Sequence, residues 1–148
     1  MLIYTGNAFG RKFQKVKDNE MGIMISSSPI TKPSKEFRDV PCALDNGAFP
    51  AHKKGYPFME KVFLNTMDEC YRLGIKLDFI VCPDIVGGGE KSLDFSCEWA
   101  MGRLKTAPNL AIVVQDGMTT EDVEPIIKDM AGLFVGGTLK WKIKTGET

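Results

Sequence analysis

The sequence predicts an α/β chain of the (β/α) TIM-barrel type, apparently incomplete, with about six of that fold's eight strand-helix units. Three observations predict it. Six short apolar runs, at 2–5, 22–26, 41–44, 78–82, 110–114 and 133–135, are flanked by Gly, Pro, Asp or Ser, as buried strands are. Amphipathic helical patterns lie between the later runs, and strands that are apolar on both faces need helical crossovers to pair in parallel. The later strand-plus-connection units span roughly 25 to 30 residues each, the repeat of an eight-stranded barrel of about 250 residues.

The helical patterns follow in order. Residues 58–73 place Phe58, Val62, Met67, Cys70 and Tyr71 near one face, and residues 91–104 do the same with Phe95, Trp99 and Leu104. Residues 119–130 open on a Thr with Glu and Asp behind it, a helix start signal, and Pro125 interrupts that helix or sits near its first turn. Residues 139–148 read as the start of a sixth helix with no strand after it. The chain is therefore expected to be one domain over 1–148, either a barrel truncated at its C-terminus or an open sheet. Missing strands would leave an open edge on each side, and open edges invite self-association.

Composition narrows the function classes. With 148 residues, 43% of them hydrophobic, the chain can bury one core, and it carries no repeats or low-complexity tracts. Nineteen basic and nineteen acidic side chains cancel, which excludes a protein that coats nucleic acid through phosphate contacts alone. No apolar run approaches the roughly 18 residues that cross a bilayer, so the expected location is cytoplasmic, with no membrane partner. Cys42, Cys70, Cys82 and Cys97 form no C-x-x-C pair and His52 is the single histidine, so no metal site or disulfide framework is indicated and no cofactor is implied.

In parallel α/β folds ligands bind outside the carboxyl ends of the strands. The polar residues stand there: Gly6-Asn7 after the first run, Ser26-Ser27-Ser28 after the second, Asp45-Asn46-Gly47 after the third, Asp84 and Gly87-Gly88-Gly89 after the fourth, Gln115-Asp116-Gly117 after the fifth, and Gly136-Gly137-Thr138 after the sixth. A guanine-like ring offers two N–H donors that suit a carboxylate and an O6 that suits a carboxamide or backbone N–H. Asp84, Gln115 and Gly136-Gly137 supply those parts, the glycines letting backbone approach a flat ligand. Asp116 reads as half of an ordinary Asp-Gly turn.

The strings LDNGAF at 44–49, VVQDGM at 113–118 and FVGGT at 134–138 resemble the D-S-G-G-F, I-V-Q-G-G-M and G-L-x-x-G-G signatures of the queuine and archaeosine tRNA-ribosyltransferases, the tRNA-guanine transglycosylase superfamily. They are more similar still to the shorter relatives that place 7-deazaguanine bases in DNA. Order and spacing agree over about residues 41–140, with Ala48 and Asp116 standing where the family has a second glycine. The resemblance implies a (β/α) barrel that exchanges a guanine in a polynucleotide for a free 7-deazaguanine, with DNA the preferred acceptor and tRNA the alternative. It implies that Asp45 contacts the base or moves its proton, that Asp84 recognises the base, that Gln115 binds it and that Gly136-Gly137 contact O6. Phe49 and Met118 are the candidates to sandwich the ring. The family's nucleophilic aspartate and its zinc site lie further along than this chain runs, so the 148 residues alone are expected to hold a base pocket without the attacking group.

Basic residues are uneven: Arg11, Lys12, Lys15 and Lys17 follow the first run, Lys32, Lys35 and Arg38 the second, and His52, Lys53 and Lys54 the third. Arg11, Lys12, Lys53 and Lys54 are the candidates to hold phosphates beside an extruded nucleotide. Two other readings stand beside this one. The glycine runs could cradle the phosphate of a small metabolite in a metabolic barrel enzyme, or the chain could be a non-catalytic base-binding fragment.

Overall fold

The computed structural model describes residues 2–146. In chain order its elements are β1 (Tyr4–Gly6), α1 (Arg11–Asp18), β2 (Gly22–Ser26), a 3-10 turn (Lys35–Asp39), β3 (Cys42–Asp45), α2 (Ala48–Lys53), α3 (Glu60–Arg72), β4 (Leu77–Val81), α4 (Glu90–Met101), β5 (Leu110–Val114), α5 (Thr120–Ile127), β6 (Gly132–Val135) and α6 (Leu139–Gly146). The fold is α/β, with six parallel strands alternating with helices. Contacts divide the described residues into two compact units, residues 2–47 with 59–80, and residues 48–58 with 81–146.

In the first unit β1, β2, β3 and β4 pair in that order, Tyr4 opposite Gly22 and Ser26 opposite Asp45. Ile23 and Ile25 of β2 and Leu44 of β3 are fully buried, as parallel strands covered on both faces require. The β3–β4 register slips: Cys42 faces Leu77 but Ala43 faces Phe79, so Asp78 is the extra residue of a bulge. The bulge delivers the Asp78 carboxylate to the Tyr4 hydroxyl, which donates to it at 2.7 Å. Tyr4 lies over Gly22, where any Cβ would meet its ring. Burial, then the hydrogen bond to and charge of Asp78, raise the phenol well above its ordinary range.

Helix α1 is short and half basic, yet its Phe13 and Val16, one turn apart, are buried, and Phe13 packs on Phe37 of the 3-10 turn with ring centroids 5.9 Å apart. The sequence reading does not include this helix, and Arg11 and Lys12 therefore stand on its first turn rather than in a loop. Helix α3 buries Phe63, Thr66 and Cys70. That face is rotated from the expected one, and Tyr71 is exposed. Phe58 precedes the helix and packs instead, in the second unit, edge-on to Phe95 and Trp99 at 6.0 and 5.5 Å.

In the second unit β5 is buried along its whole length and pairs with β6, Ala111 opposite Gly132 through Val114 opposite Val135. Helix α5 opens on a capping box, Thr119 Oγ1 accepting from the Asp122 N–H and Asp122 Oδ2 from the Thr119 N–H. Pro125 lies in its interior, where it withholds a donor from the preceding turn, and the helix stops at Ile127 instead of reaching 130. The expected sixth helix is present as α6, and residues 147 and 148 of that reading lie outside the described ones.

Cys42, Cys70 and Cys82 are buried free thiols that burial pushes up to about 12, which makes them unreactive core residues.

Gly47 tests how tightly the turn after β3 is specified. It has φ +77°, and a Cβ there would press on the Ser27 carbonyl. Gly47→Ala should destabilise the protein by about 1–3 kcal/mol, seen as a melting temperature lower by several degrees. Gly6→Ala, where a Cβ meets nothing and φ is ordinary, should stay within about 0.5 kcal/mol of the parent. Equal melting temperatures for all three proteins would show that the turn is not strained.

Candidate functional site

The second unit builds its polar centre from the ends of β4 and β5. β5 is an all-apolar strand, and the first polar side chain after it, Gln115, is carried into the interior and left only 3% exposed. Its Oε1 accepts from the Gly87 N–H at 2.8 Å. Its Nε2 faces three acceptors: Ser92 Oγ at 2.7 Å, Asp84 Oδ2 at 3.0 Å and the Ile85 carbonyl at 3.0 Å. Two N–H groups shared among three acceptors saturate the amide nitrogen, and the Gly87 donor settles which end of the amide is oxygen. Ser92 is fully buried near the start of α4, and its hydroxyl also accepts from the Ile85 N–H at 3.0 Å.

This arrangement differs from the sequence expectation in one respect. Gln115 was expected to offer its N–H groups to a ligand, whereas here they are turned onto the 84–89 loop. Gln115 acts as a brace that holds the half-buried Asp84 carboxylate beside the 84–89 loop. Met118 closes the same turn: its Sδ accepts from the Gln115 N–H at 3.3 Å and its own N–H donates to the Gln115 carbonyl at 3.1 Å. It is buried there.

Asp116 has a larger part than an ordinary turn residue. Its Oδ1 accepts from the Thr138 N–H and its Oδ2 from the Thr138 hydroxyl, both at 2.6 Å, so it ties the loop after β5 to the loop after β6. Those two bonds, hydroxyl first and N–H second, hold its carboxyl below the usual 3.8. Gly137, at φ +74°, leaves the space Asp116 needs, since a Cβ there would press on the carboxylate and on the Trp141 ring. Gly136 donates its N–H to the Val114 carbonyl at 2.8 Å. Any backbone donor to a ligand from this pair must then come from Gly137.

Ser92 and Asp116 are thus the site residues that sequence reasoning missed. A serine three residues past a glycine run, at the start of a helix, is the only linear hint of the first. The Thr after Gly136-Gly137 is the hint of the second.

The remaining candidates stand on other elements. Asp45 ends β3 in the first unit, where its carboxylate accepts from the Gly47 N–H at 3.2 Å and its carbonyl from the Ser27 hydroxyl at 2.7 Å. Phe49 on α2 is 59% exposed, with Lys53 Nζ 5.1 Å from its ring centroid. Lys53 and Lys54 are exposed at the end of α2, and Arg11 and Lys12 are exposed on α1.

Among the described residues no group of three His, Cys, Asp or Glu side chains could hold a metal ion, and no helix is long and apolar enough to cross a membrane. Neither a known protein family, nor a curated protein, nor a solved structure matches the chain.

The Asp116 tie carries a pH dependence of fixed sign. Its carboxyl lies below 3.8 when folded, so its contribution to the loop is complete above that value and is lost as pH falls through the lowered folded one. Titrating the Thr138 amide by NMR should give a midpoint below 3.8 that Asp116→Asn abolishes. A midpoint at 3.8 or above would remove the tie.

Proposed function

We propose that the chain is the base-binding part of a transglycosylase that replaces guanine in a polynucleotide by a free 7-deazaguanine, and that its strands and helices are six of the eight units of a (β/α) barrel. One observation carries the reading: a half-buried carboxylate, Asp84, held in place by the buried Gln115 amide at the carboxyl ends of β4 and β5. A fixed carboxylate acceptor suits the N1 and N2 donors of a guanine edge. In this reading the Gly137 N–H is the donor to O6.

The exchange breaks the C1′–N9 bond to guanine and makes the same bond to the incoming base, whose N9 proton passes to the leaving guanine. By resemblance, Asp45 handles that proton. DNA is the preferred acceptor and tRNA the alternative.

The phosphate-cradle reading is less favoured, because the chain's own acceptors take N–H groups from both glycine runs. Gly87 donates to Gln115 and Gly88 to the Ile85 carbonyl, while the Thr138 N–H ahead of α6 is taken by a carboxylate, which would repel an anion.

Losing a charged hydrogen-bond partner costs about 1–3 kcal/mol. Asp84→Ala should therefore weaken binding of free 7-deazaguanine by about tenfold or more in calorimetry, and unchanged affinity would discard the base pocket. For the exchange itself, Asp45→Asn keeps the side-chain shape and loses the basicity. In a polypeptide extended through the remaining barrel strands it should retain base binding and lose most incorporation of labelled guanine into duplex DNA. Incorporation into tRNA alone would reassign the acceptor, and incorporation into neither would end the transglycosylase reading.

A further inference from the structure

The segment after β3 exposes large aromatic side chains where burial would be the rule. Phe49 is 59% exposed and Tyr56 60% exposed. Between them stand His52, Lys53 and Lys54, all exposed, and no acidic residue occurs from 46 to 59.

The backbone that carries them is tightly closed. Gly55, at φ +74°, ends α2: its N–H donates to the His52 carbonyl at 2.9 Å, and the Tyr56 N–H donates to the Ala51 carbonyl at 3.0 Å. This is the Schellman pattern, in which the residue in Tyr56's position normally packs back on the one in Ala51's. Ala51 is buried, but Tyr56 stands mostly in solvent. Pro57 further restricts Tyr56 to extended backbone, and Phe58 anchors the far end against Phe95 and Trp99. At the near end Lys53 lies over the Phe49 ring.

Aromatic faces held on a fixed backbone and interleaved with cations suit one class of partner: a strand whose unstacked bases lie on the rings while its phosphates meet the ammonium groups. A paired duplex keeps its bases stacked on one another and has no use for the rings. We propose that the segment from Phe49 to Tyr56 is a stacking platform for an unpaired nucleic-acid strand, with Tyr56 as its principal stacking residue and Lys53 and Lys54 its phosphate contacts. The proposal deepens the base-exchange reading, on which it rests, by making the substrate strand locally single-stranded on at least one side of the exchanged nucleotide.

The test is fluorescence anisotropy with the full chain and a labelled oligothymidylate of about 12 nucleotides, against a duplex of equal length. Oligothymidylate contains no guanine, so its binding reports on this platform and not on the Asp84 pocket, and either can fail without the other. The single strand should bind more tightly than the duplex. Tyr56→Ala should weaken it about fivefold to a hundredfold, and Tyr56→Phe should retain the affinity because the ring remains. Lys53→Ala with Lys54→Ala should flatten the dependence of log K on log salt by about 1.4. Melting temperatures of all three variants should match the parent, since the side chains replaced are exposed. Duplex binding equal to the single strand, or affinity unmoved by Tyr56→Ala, would overturn the proposal. Binding of polyglutamate as tight as that of oligothymidylate would overturn it too, and would mark a surface for acidic peptides.

Discussion

The second unit depends on satisfying one buried carboxamide. Gln115 is almost wholly removed from water, so its oxygen and its two N–H groups must find partners in the protein. They find them on the Asp84 carboxylate, the Ile85 carbonyl, the Gly87 N–H and the Ser92 hydroxyl. Those groups occupy one loop and the first turn of α4. A single side chain at the end of a buried strand thereby sets the course of the neighbouring loop and, through it, the position of the Asp84 carboxylate. The apolar length of β5 is what makes this possible, because it drives Gln115 inward where water cannot compete.

The glycine runs serve different ends despite similar letters. Gly87 and Gly89 adopt positive φ, which lets the 84–89 loop turn back on Gln115. Gly137 also has positive φ, and its missing Cβ makes room for Asp116 to reach Thr138. In the first run the turn serves the Gly87 bond to Gln115, and in the second the missing Cβ serves the Asp116 tie to Thr138. Asp116 and Gln115 are adjacent in sequence and brace different loops, one after β6 and one after β4. The turn that follows β5 is therefore the point at which the polar structure of this unit is organised.

Much of the fold was legible because its signals are local. β2 and β5 lie where their apolar runs predict, since an apolar run bounded by breakers has few alternatives. The start of α5 was legible in Thr119 and Asp122, whose capping bonds span three residues. Helices α1 and α2 were not. RKFQKVKD carries only Phe13 and Val16 as a buried pair, and AFPAHK has a proline in its first turn, so neither shows a sustained helical period. The face of α3 was misjudged by including Phe58, which lies outside the helix and packs against Phe95 and Trp99. Aromatic clustering of that kind is a long-range fact that periodicity does not register.

The sequence by itself determined the α/β class, the placing of polar residues at the carboxyl ends of the strands, and the candidacy of Asp84, Gln115 and the Gly136-Gly137 pair, because each follows from patterns of a few adjacent residues. Only the tertiary structure decided what those residues do to one another. Gln115 meets Asp84 across 31 positions, Gly87 across 28 and Ser92 across 23, and Asp116 meets Thr138 across 22. Partners so far apart are chosen by how strands and helices pack, which sets where each side chain points and how much water it keeps. Whether an amide faces a ligand or its own loop is therefore decided by burial in the folded chain, a quantity that no short stretch of sequence contains.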